Sequence, residues 1–339
     1  MLLEDIAVLT SPLYDIVAIG NAIVDVICSR DDEFVAAQGL EKGLMRPIAP
    51  DRGVALHEAM GACEEVSGGS AANTLAGLTG FGVRAAFVGQ VGDDRLGRLF
   101  RQDMADRGIV FDTPPLTDGT PTGRCLIIVT PDGHRTMNTA IGASEFLPQI
   151  DRQLIADSAV LFVEGYMWAT EQPRVAVCEA ITIARHAGRK VAFTLSAEWC
   201  IRQHRADFRA LIESGQVDIL FANEGELAEL TGSADFDAAV DWAAAHVGLL
   251  IATRGADGAI AVEGGMRHTT PAEPIGPVVD TTGAGDLFAT GVLIGLVQGR
   301  PLPTVLRMGS IAAGKIITQI GPRLATGEDL AALMAARLG

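Results

Sequence analysis

The feature that most limits the possible folds is a run of short apolar segments in the second half of the chain. From about residue 143 onward, Val160-Leu161-Phe162-Val163, Val191-Ala192-Phe193-Thr194-Leu195, Ile219-Leu220-Phe221-Ala222 and Leu249-Leu250-Ile251-Ala252-Thr253 recur at intervals. Stretches of helical character lie between them, such as 173–187 and 237–245. Short, nearly continuous apolar strands alternating with helices predict a parallel sheet covered on both faces, that is, an α/β fold. Ligands of such sheets gather beyond the carboxyl ends of the strands. The residues following each strand are therefore the first candidates for a site. They are Glu164-Gly165-Tyr166, Ser196-Ala197-Glu198-Trp199, Asn223-Glu224-Gly225-Glu226 and Arg254-Gly255-Ala256-Asp257-Gly258.

The first half supplies two further strands. Asp15 to Ile27 reads as one strand kinked at Gly20-Asn21, and 85–92 as another, followed by a helix opening at Asp93-Asp94 and running to about Arg107 with acids at its positive end. Asp25 stands in an apolar run, where an unpartnered carboxylate is costly. It reads either as an acceptor for substrate hydroxyls or as a strand-end turn residue. Residues 30–66 and 112–141 change character. In the second of these, 125–130 and 135–138 flank the turn signal Pro131-Asp132-Gly133 and read as a hairpin. Both excursions are expected to be of β type and to form a small lid sheet (30–66 and 112–141) over a large domain (14–29, 67–111 and 142–339). Ser67-Gly68-Gly69-Ser70, leading to Asn73, reads as a loop entering a tightly packed helix. Its glycines serve either a ligand or a tight turn.

The most chemical stretch is Asp280-Thr281-Thr282-Gly283-Ala284-Gly285-Asp286, followed by an apolar helix from Leu287 to Leu296. A small, glycine-rich loop opening a helix leaves backbone N–H groups without intrahelical partners, and these suit an anion, phosphate above all. Asp286 is out of place in an anion site unless it has another task. One such task is to take a proton from a hydroxyl attacking a phosphoryl group. The plainer reading is a helix cap.

Composition narrows the field. Of 339 residues 48% are hydrophobic, enough for a sizeable core, and the net charge of -16 argues against nucleic acid, which needs a basic surface. The five cysteines are scattered, with no CxxC pair, as expected of a reduced cytoplasmic protein without a metal framework. Met1-Leu2-Leu3-Glu4-Asp5 lacks the basic region of a secretory signal, and no apolar run reaches the roughly 18 residues of a membrane span. Two motifs mislead. Gly309 to Lys315 fits a P-loop, but Ile316 follows where Ser or Thr is needed and the surroundings read as helix. Gly80 to Ala85 follows a helix and precedes a strand, the reverse of a dinucleotide fingerprint.

Taken together, Asp280 to Asp286, Gly68-Gly69 with Asn73, Asn223 with Glu226, and Gly255 with Gly258 resemble the motifs of the ribokinase, or phosphofructokinase-B, family of sugar and nucleoside kinases, in the family's order from about residue 15 to 325. The resemblance implies a three-layer α/β/α domain with a mainly parallel sheet and a small β lid. It implies Asp286 as the base, with Gly283, Ala284 and Gly285 as anion hole. Asn223 and Glu226 would organise Mg2+ and phosphate through water. Thr253, Gly255 and Gly258 would belong to the ATP site, with Ala313 beside its adenine. Asp280 and Thr282 match positions that bind a monovalent cation such as K+ in some members. Within the family the adenosine kinases are most similar, through Pro121 to Cys125 with Arg135, through 194–199, and through 217–224. Glu198, which precedes Trp199, departs from their more apolar pattern. The implied acceptor is the 5′-hydroxyl of adenosine, with a plain sugar such as ribose, fructose or a keto-deoxy sugar acid as the alternative. A non-catalytic sensor on the same scaffold is the alternative of another class. Gly68, Gly69, Asn73 and Asp25 would hold the acceptor, Tyr166 and Trp199 would stack on a base, and Arg135 would reach in from the lid. The assembly expected is a monomer, or a homodimer through the lid.

Overall fold

A computed structural model describes residues 11–147, 150–325 and 328–339. The reading of residues 1 to 5 falls outside them. The thirteen strands in chain order are β1 Tyr14–Ile19, β2 Ile23–Ser29, β3 Met45–Pro47, β4 Glu64–Gly68, β5 Ala85–Val88, β6 Gly123–Val129, β7 Arg135–Ala140, β8 Ser158–Glu164, β9 Lys190–Thr194, β10 Ile219–Asn223, β11 Leu249–Thr253, β12 Ala259–Glu263 and β13 Met266–Thr270. They form two sheets. The large one runs β13-β12-β11-β10-β9-β8-β1-β5, and the small one β3-β7-β6-β2-β4.

From β11 to β5 the large sheet is parallel throughout, and only β12 runs against its neighbours. Its central strands are buried on both faces, which is why they read as unbroken apolar runs. In β1, Ile16 and Ala18 enter one core cluster while Val17 and Ile19 enter the other, on the opposite face. Helices cover both faces, among them Glu171–His186 and Phe236–Ala244, close to their expected extents. The helix Arg95–Asp106 starts where the acids predict, with Asp94 accepting from the Gly97 N–H at 2.7 Å. The false P-loop lies inside the helix Leu302–Ile316.

Two expectations need correction. The segment Asp15 to Ile27 is not one kinked strand. The chain leaves the large sheet at Ile19, turns through Gly20, Asn21 and Ala22, and enters the small sheet as β2. Sequence alone hides the switch because both strands are apolar. The turn is tied down by buried groups: Asn21 N–H donates to Glu164 Oε1 at 2.8 Å and Ala22 N–H to Ser144 Oγ at 3.1 Å. Asp25 thus belongs to the small sheet. Residues 30–66, expected to be of β type, do supply β3 and the start of β4 to the small sheet, but they also carry the helices Asp32–Ala37 and Pro50–Met60. The buried residues Val35, Leu56 and Met60 join the same core cluster as Val24, Val26 and Leu126 of the small sheet. The stretch through Ser67-Gly68, read as loop, is the end of β4. The hairpin around Pro131-Asp132-Gly133 forms as expected, from β6 and β7.

Candidate active site

The helix Ala284–Val297 starts after Gly283, whose φ of 77° is the left-handed conformation that glycine adopts without strain. Asp286 sits in its first turn. Opposite, Gly69 (φ 89°) opens the short helix Ser70–Ala76. The two turns meet at one carboxylate. Ser70 Oγ donates to Asp286 Oδ1 at 2.6 Å, and Asn73 Nδ2 donates to Oδ2 at 2.9 Å. Asp286 is therefore not a helix cap. Burial raises its pKa, while the bonds from Ser70 and Asn73 and the nearby Arg323 guanidinium oppose that rise.

Asp286 lines a cavity of about 390 Å3 together with Asp25, Asn223, Glu226, Thr253 and Thr281 to Gly285. A second cavity of about 290 Å3 shares Asp25, Gly69, Ser70 and Tyr166 with it and is walled by Ile23, Met45, Pro47, Met137, Ile141 and Trp199. One compartment is therefore rimmed by the glycine loop and strand ends of the large sheet. The other is largely apolar and lies against the small sheet.

Asp25 stands where they join. Its carboxylate has no hydrogen-bond partner among the described residues, and burial pushes its pKa up to about 7, against the pull of Arg323. Glu164, fully buried at the end of β8, accepts from the N–H groups of Asn21 and Ala71, each at 2.8 Å. Burial raises it to about 7 as well, opposed by those two bonds. Both groups bind protons more tightly folded than unfolded. Their linkage contribution therefore favours the fold at acid pH and is lost as pH rises from the usual carboxylate range through about 7. The melting temperature is expected to fall between pH 5 and pH 8, and Asp25→Asn to flatten that slope. A slope that is the same in Asp25→Asn and the parent would show that the Asp25 carboxyl ionises normally.

Around the loop, the Ala284 N–H is taken up by the Thr281 carbonyl at 3.2 Å. The amides of Gly283, Gly285 and Asp286 have no partner among the described residues, and the space where a Gly285 side chain would stand is open. The Ala284 amide, expected as a donor of the anion hole, is thus engaged within the turn, whereas the Asp286 amide is unengaged among the described residues. Asp280 is only 8% exposed and fully engaged: Arg135 Nη2 lies 2.8 Å from Oδ2, the Gly321 N–H donates to Oδ2 at 2.8 Å, and Thr282 Oγ1 donates to Oδ1 at 2.7 Å. Arg135 Nη1 also donates to Thr282 Oγ1 at 2.8 Å. A residue of the small sheet thus bridges to the loop of the large one.

Asn223 and Glu226 form a reciprocal cap on the helix Glu224–Thr231, with the Glu226 N–H donating to Asn223 Oδ1 at 2.8 Å and the Asn223 N–H to Glu226 Oε2 at 3.0 Å. Burial raises the Glu226 pKa to about 7. No group of three or more His, Cys, Asp or Glu among the described residues could hold a metal directly. One unengaged Glu226 oxygen at the cavity wall fits a hydrated Mg2+, which keeps most of its waters.

Tyr166 and Trp199 pack on each other, ring centroids 6.0 Å apart and planes tilted by 30°. The Tyr166 hydroxyl donates to the Ser196 carbonyl at 3.1 Å, and Ser196 holds a left-handed φ of 70°. The buried Trp199 Nε1 has no partner. Glu198 is exposed and lies against Gly225, where an added Cβ would stand 2.2 Å from its Oε1. It does not enter the apolar cavity.

Several expected residues fall outside the cavity walls. Gly68 lines neither cavity. A Cβ there would stand 2.7 Å from the Asp25 carboxylate, so this glycine makes room for a side chain. Gly258 packs against the Thr270 carbonyl, 2.0 Å from where its Cβ would be. Gly255 and Ala313 also lie outside both cavities, Gly255 in an exposed turn after β11 and Ala313 half-buried on its helix. Sequence reasoning passed over Arg323; it placed Glu164 among the residues at the strand ends and Ser70 in the glycine loop, but gave neither a role of its own.

A parallel α/β sheet with a small second sheet over its strand ends, an acid at a glycine-rich helix start and a second acid between two compartments define a phosphotransferase of the ribokinase-like fold. The chain belongs to the pfkB family of carbohydrate kinases, whose profile matches residues 16–328. Its solved neighbours include the adenosine kinase of Sinorhizobium meliloti, 43% identical over 95% of this chain and 99% of that one (TM-score 0.88). They also include a probable sugar kinase from Rhizobium etli CFN 42, 39% identical over 96% of this chain and 99% of that one (TM-score 0.89). A fructokinase from Klebsiella pneumoniae is 30% identical over 68% of this chain and 76% of its own length. The family implies ATP use and usually Mg2+. No helix among the described residues is long and apolar enough to cross a membrane.

Proposed function

We propose that the protein transfers the γ-phosphoryl group of ATP to the 5′-hydroxyl of a nucleoside, with adenosine the favoured acceptor. The observation that carries this reading is the apolar compartment, bounded by the Tyr166–Trp199 pair and joined at Asp25 to the compartment of the glycine loop. A purine lying against either ring would gain about 1–3 kcal/mol from stacking. Asp25 accepts from ribose hydroxyls. A free sugar would leave the apolar wall uncovered.

Asp286 then takes the proton of the 5′-hydroxyl as that oxygen attacks the γ-phosphorus. The bond to the bridging oxygen breaks, and ADP leaves with its electron pair. The amides of Gly283, Gly285 and Asp286 stabilise the charge spreading over the transferred group. Thr253, with Gly255, Gly258 and Ala313 farther out, would line the path of the nucleotide. Mg2+, when bound, neutralises phosphate charge; Glu226 and Asn223 would orient its waters. The lid comprises β2 in addition to residues 30–66 and 112–141. Arg135 holds it to the loop through Asp280 and Thr282, so K+ at those residues would require Arg135 to withdraw.

Comparing ADP release with adenosine, inosine, ribose and fructose tests the assignment. Turnover with adenosine at low acceptor concentration is expected. Turnover with the free sugars alone would place the chain with the sugar kinases of the family. Tyr166→Ala is expected to raise KM for adenosine about 10–100-fold, the loss of one stacking contact. An unchanged KM would remove Tyr166 from base recognition. The edge strands β3 and β4 would be the contact of a lid dimer. Light scattering is expected to give a monomer or that dimer.

A further inference from the structure

The guanidinium of Arg323 is buried, with 2% of its side chain exposed, and lies behind the site among groups far apart in the chain. Its Nε donates to Asn73 Oδ1 at 2.8 Å, its Nη2 to the Gly68 carbonyl at 3.1 Å, and its Nη1 to Asp103 on the helix Arg95–Asp106. Burial lowers its pKa to about 10, which leaves it charged at neutral pH, and Asp103 supports that charge.

An arginine can only donate, whereas an asparagine amide has one accepting end and one donating end. By claiming the Asn73 oxygen, Arg323 forbids the flipped amide. The Asn73 NH2 must then face the other way, where it meets Asp286 Oδ2 at 2.9 Å. Without Arg323, the amide could turn its oxygen towards the carboxylate, and two acceptors would repel. The bond from Nη2 to Gly68 also anchors the strand end that leads into Gly69 and Ser70, the source of the other donor to Asp286.

We propose that Arg323 is a positioning residue for phosphoryl transfer, acting through Asn73 to keep an amide donor on Asp286. The inference rests on Asp286 being the base. With the donor in place, the carboxylate is steadied in one rotamer and favoured in the form that accepts a proton. The other charged or titratable groups that influence this neighbourhood are Asp25, Glu164, Tyr166 and Glu226, Arg107 paired with Asp103 on the far side of Arg323, and Arg135 and Asp280 beyond Asp25.

The test uses the full chain, ATP, Mg2+ and whichever acceptor is turned over, with three variants. Arg323→Lys keeps a positive charge but cannot reach Asn73, Gly68 and Asp103 together. It is expected to lower kcat about 10–100-fold with KM for ATP within about twofold, and to move the acid limb of the kcat profile to higher pH. Asn73→Asp retains an acceptor for Arg323, now as an ion pair, so the fold is supported while the donor to Asp286 is lost. It is expected to reproduce both changes, and it keeps the test open if Arg323→Lys folds poorly. An acid limb that stays in place in Asn73→Asp, with kcat near the parent's, overturns the proposal. Asp286→Asn separates the two layers. If that variant retains turnover, the base assignment fails and this inference with it. If it is inactive while Arg323→Lys and Asn73→Asp leave kcat and its pH profile untouched, only the Arg323 role is wrong.

Discussion

Asp286→Asn is expected to lower kcat by about 10²–10⁴-fold, with little change in the affinity for acceptor or ATP. The substitution keeps size and shape. One amide end can still accept from Ser70 or Asn73, which now hold the carboxylate at 2.6 and 2.9 Å. What disappears is the capacity to take a proton. Because proton removal occurs only as the acceptor oxygen attacks, the loss belongs to kcat rather than to binding. The same variant separates an enzyme from a sensor on this scaffold, since a sensor needs no base. Stopped-flow or coupled ADP release under saturating substrates gives the number. Turnover close to the parent's would remove Asp286 from the chemistry.

The second large effect concerns the joint between the two sheets. Gly69→Ala is expected to cost about 3 kcal/mol or more in stability and most of the activity. Gly69 has φ 89° and ψ 132°, a conformation essentially closed to residues with a side chain, and an added Cβ would lie 2.2 Å from the Asn21 carbonyl oxygen. Neither partner can yield freely. Asn21 is held by Glu164, and Ala71, two residues on, is held by the same carboxylate. Displacing Gly69 therefore also displaces Ser70 from Asp286. Gly82→Ala is the control: φ is 71°, but nothing lies within 4 Å of the added carbon, so only backbone strain of about 1 kcal/mol is expected. Equal melting temperatures for the two variants would mean that the contact at Asn21 is not rigid.

Much of the scaffold was legible because central parallel strands advertise themselves. Leu161 to Val163, Ile219 to Ala222 and Leu249 to Ala252 are buried and so carry no polar interruption. The glycine-rich helix start was equally plain, because its residue types follow from what a bare backbone must do. Three things were hidden. The passage from β1 to β2 changes sheets at Gly20-Asn21, yet apolar residues on either side look like one strand. The two helices within the lid segment 30–66 left little signal, since short helices against a small sheet have only a few buried positions, Val35, Gly53, Leu56 and Met60. The contacts of Ser70 and Arg323 could not be found at all. Ser70 acts on a residue 216 positions away, and Arg323 on one 250 positions away. Neither residue type is unusual where it stands. Two of the glycines have packing reasons that the sequence does not show: Gly68 clears space for Asp25 and Gly258 for Thr270.

The most direct measurement is a crystal structure with adenosine and a non-hydrolysable ATP analogue bound together. The account predicts the 5′-oxygen within hydrogen-bond reach of an Asp286 carboxylate oxygen, the terminal phosphate on the amides of Gly283, Gly285 and Asp286, and the purine against Tyr166 or Trp199. A terminal phosphorus far from Gly285, with no acceptor oxygen near Asp286, would contradict it.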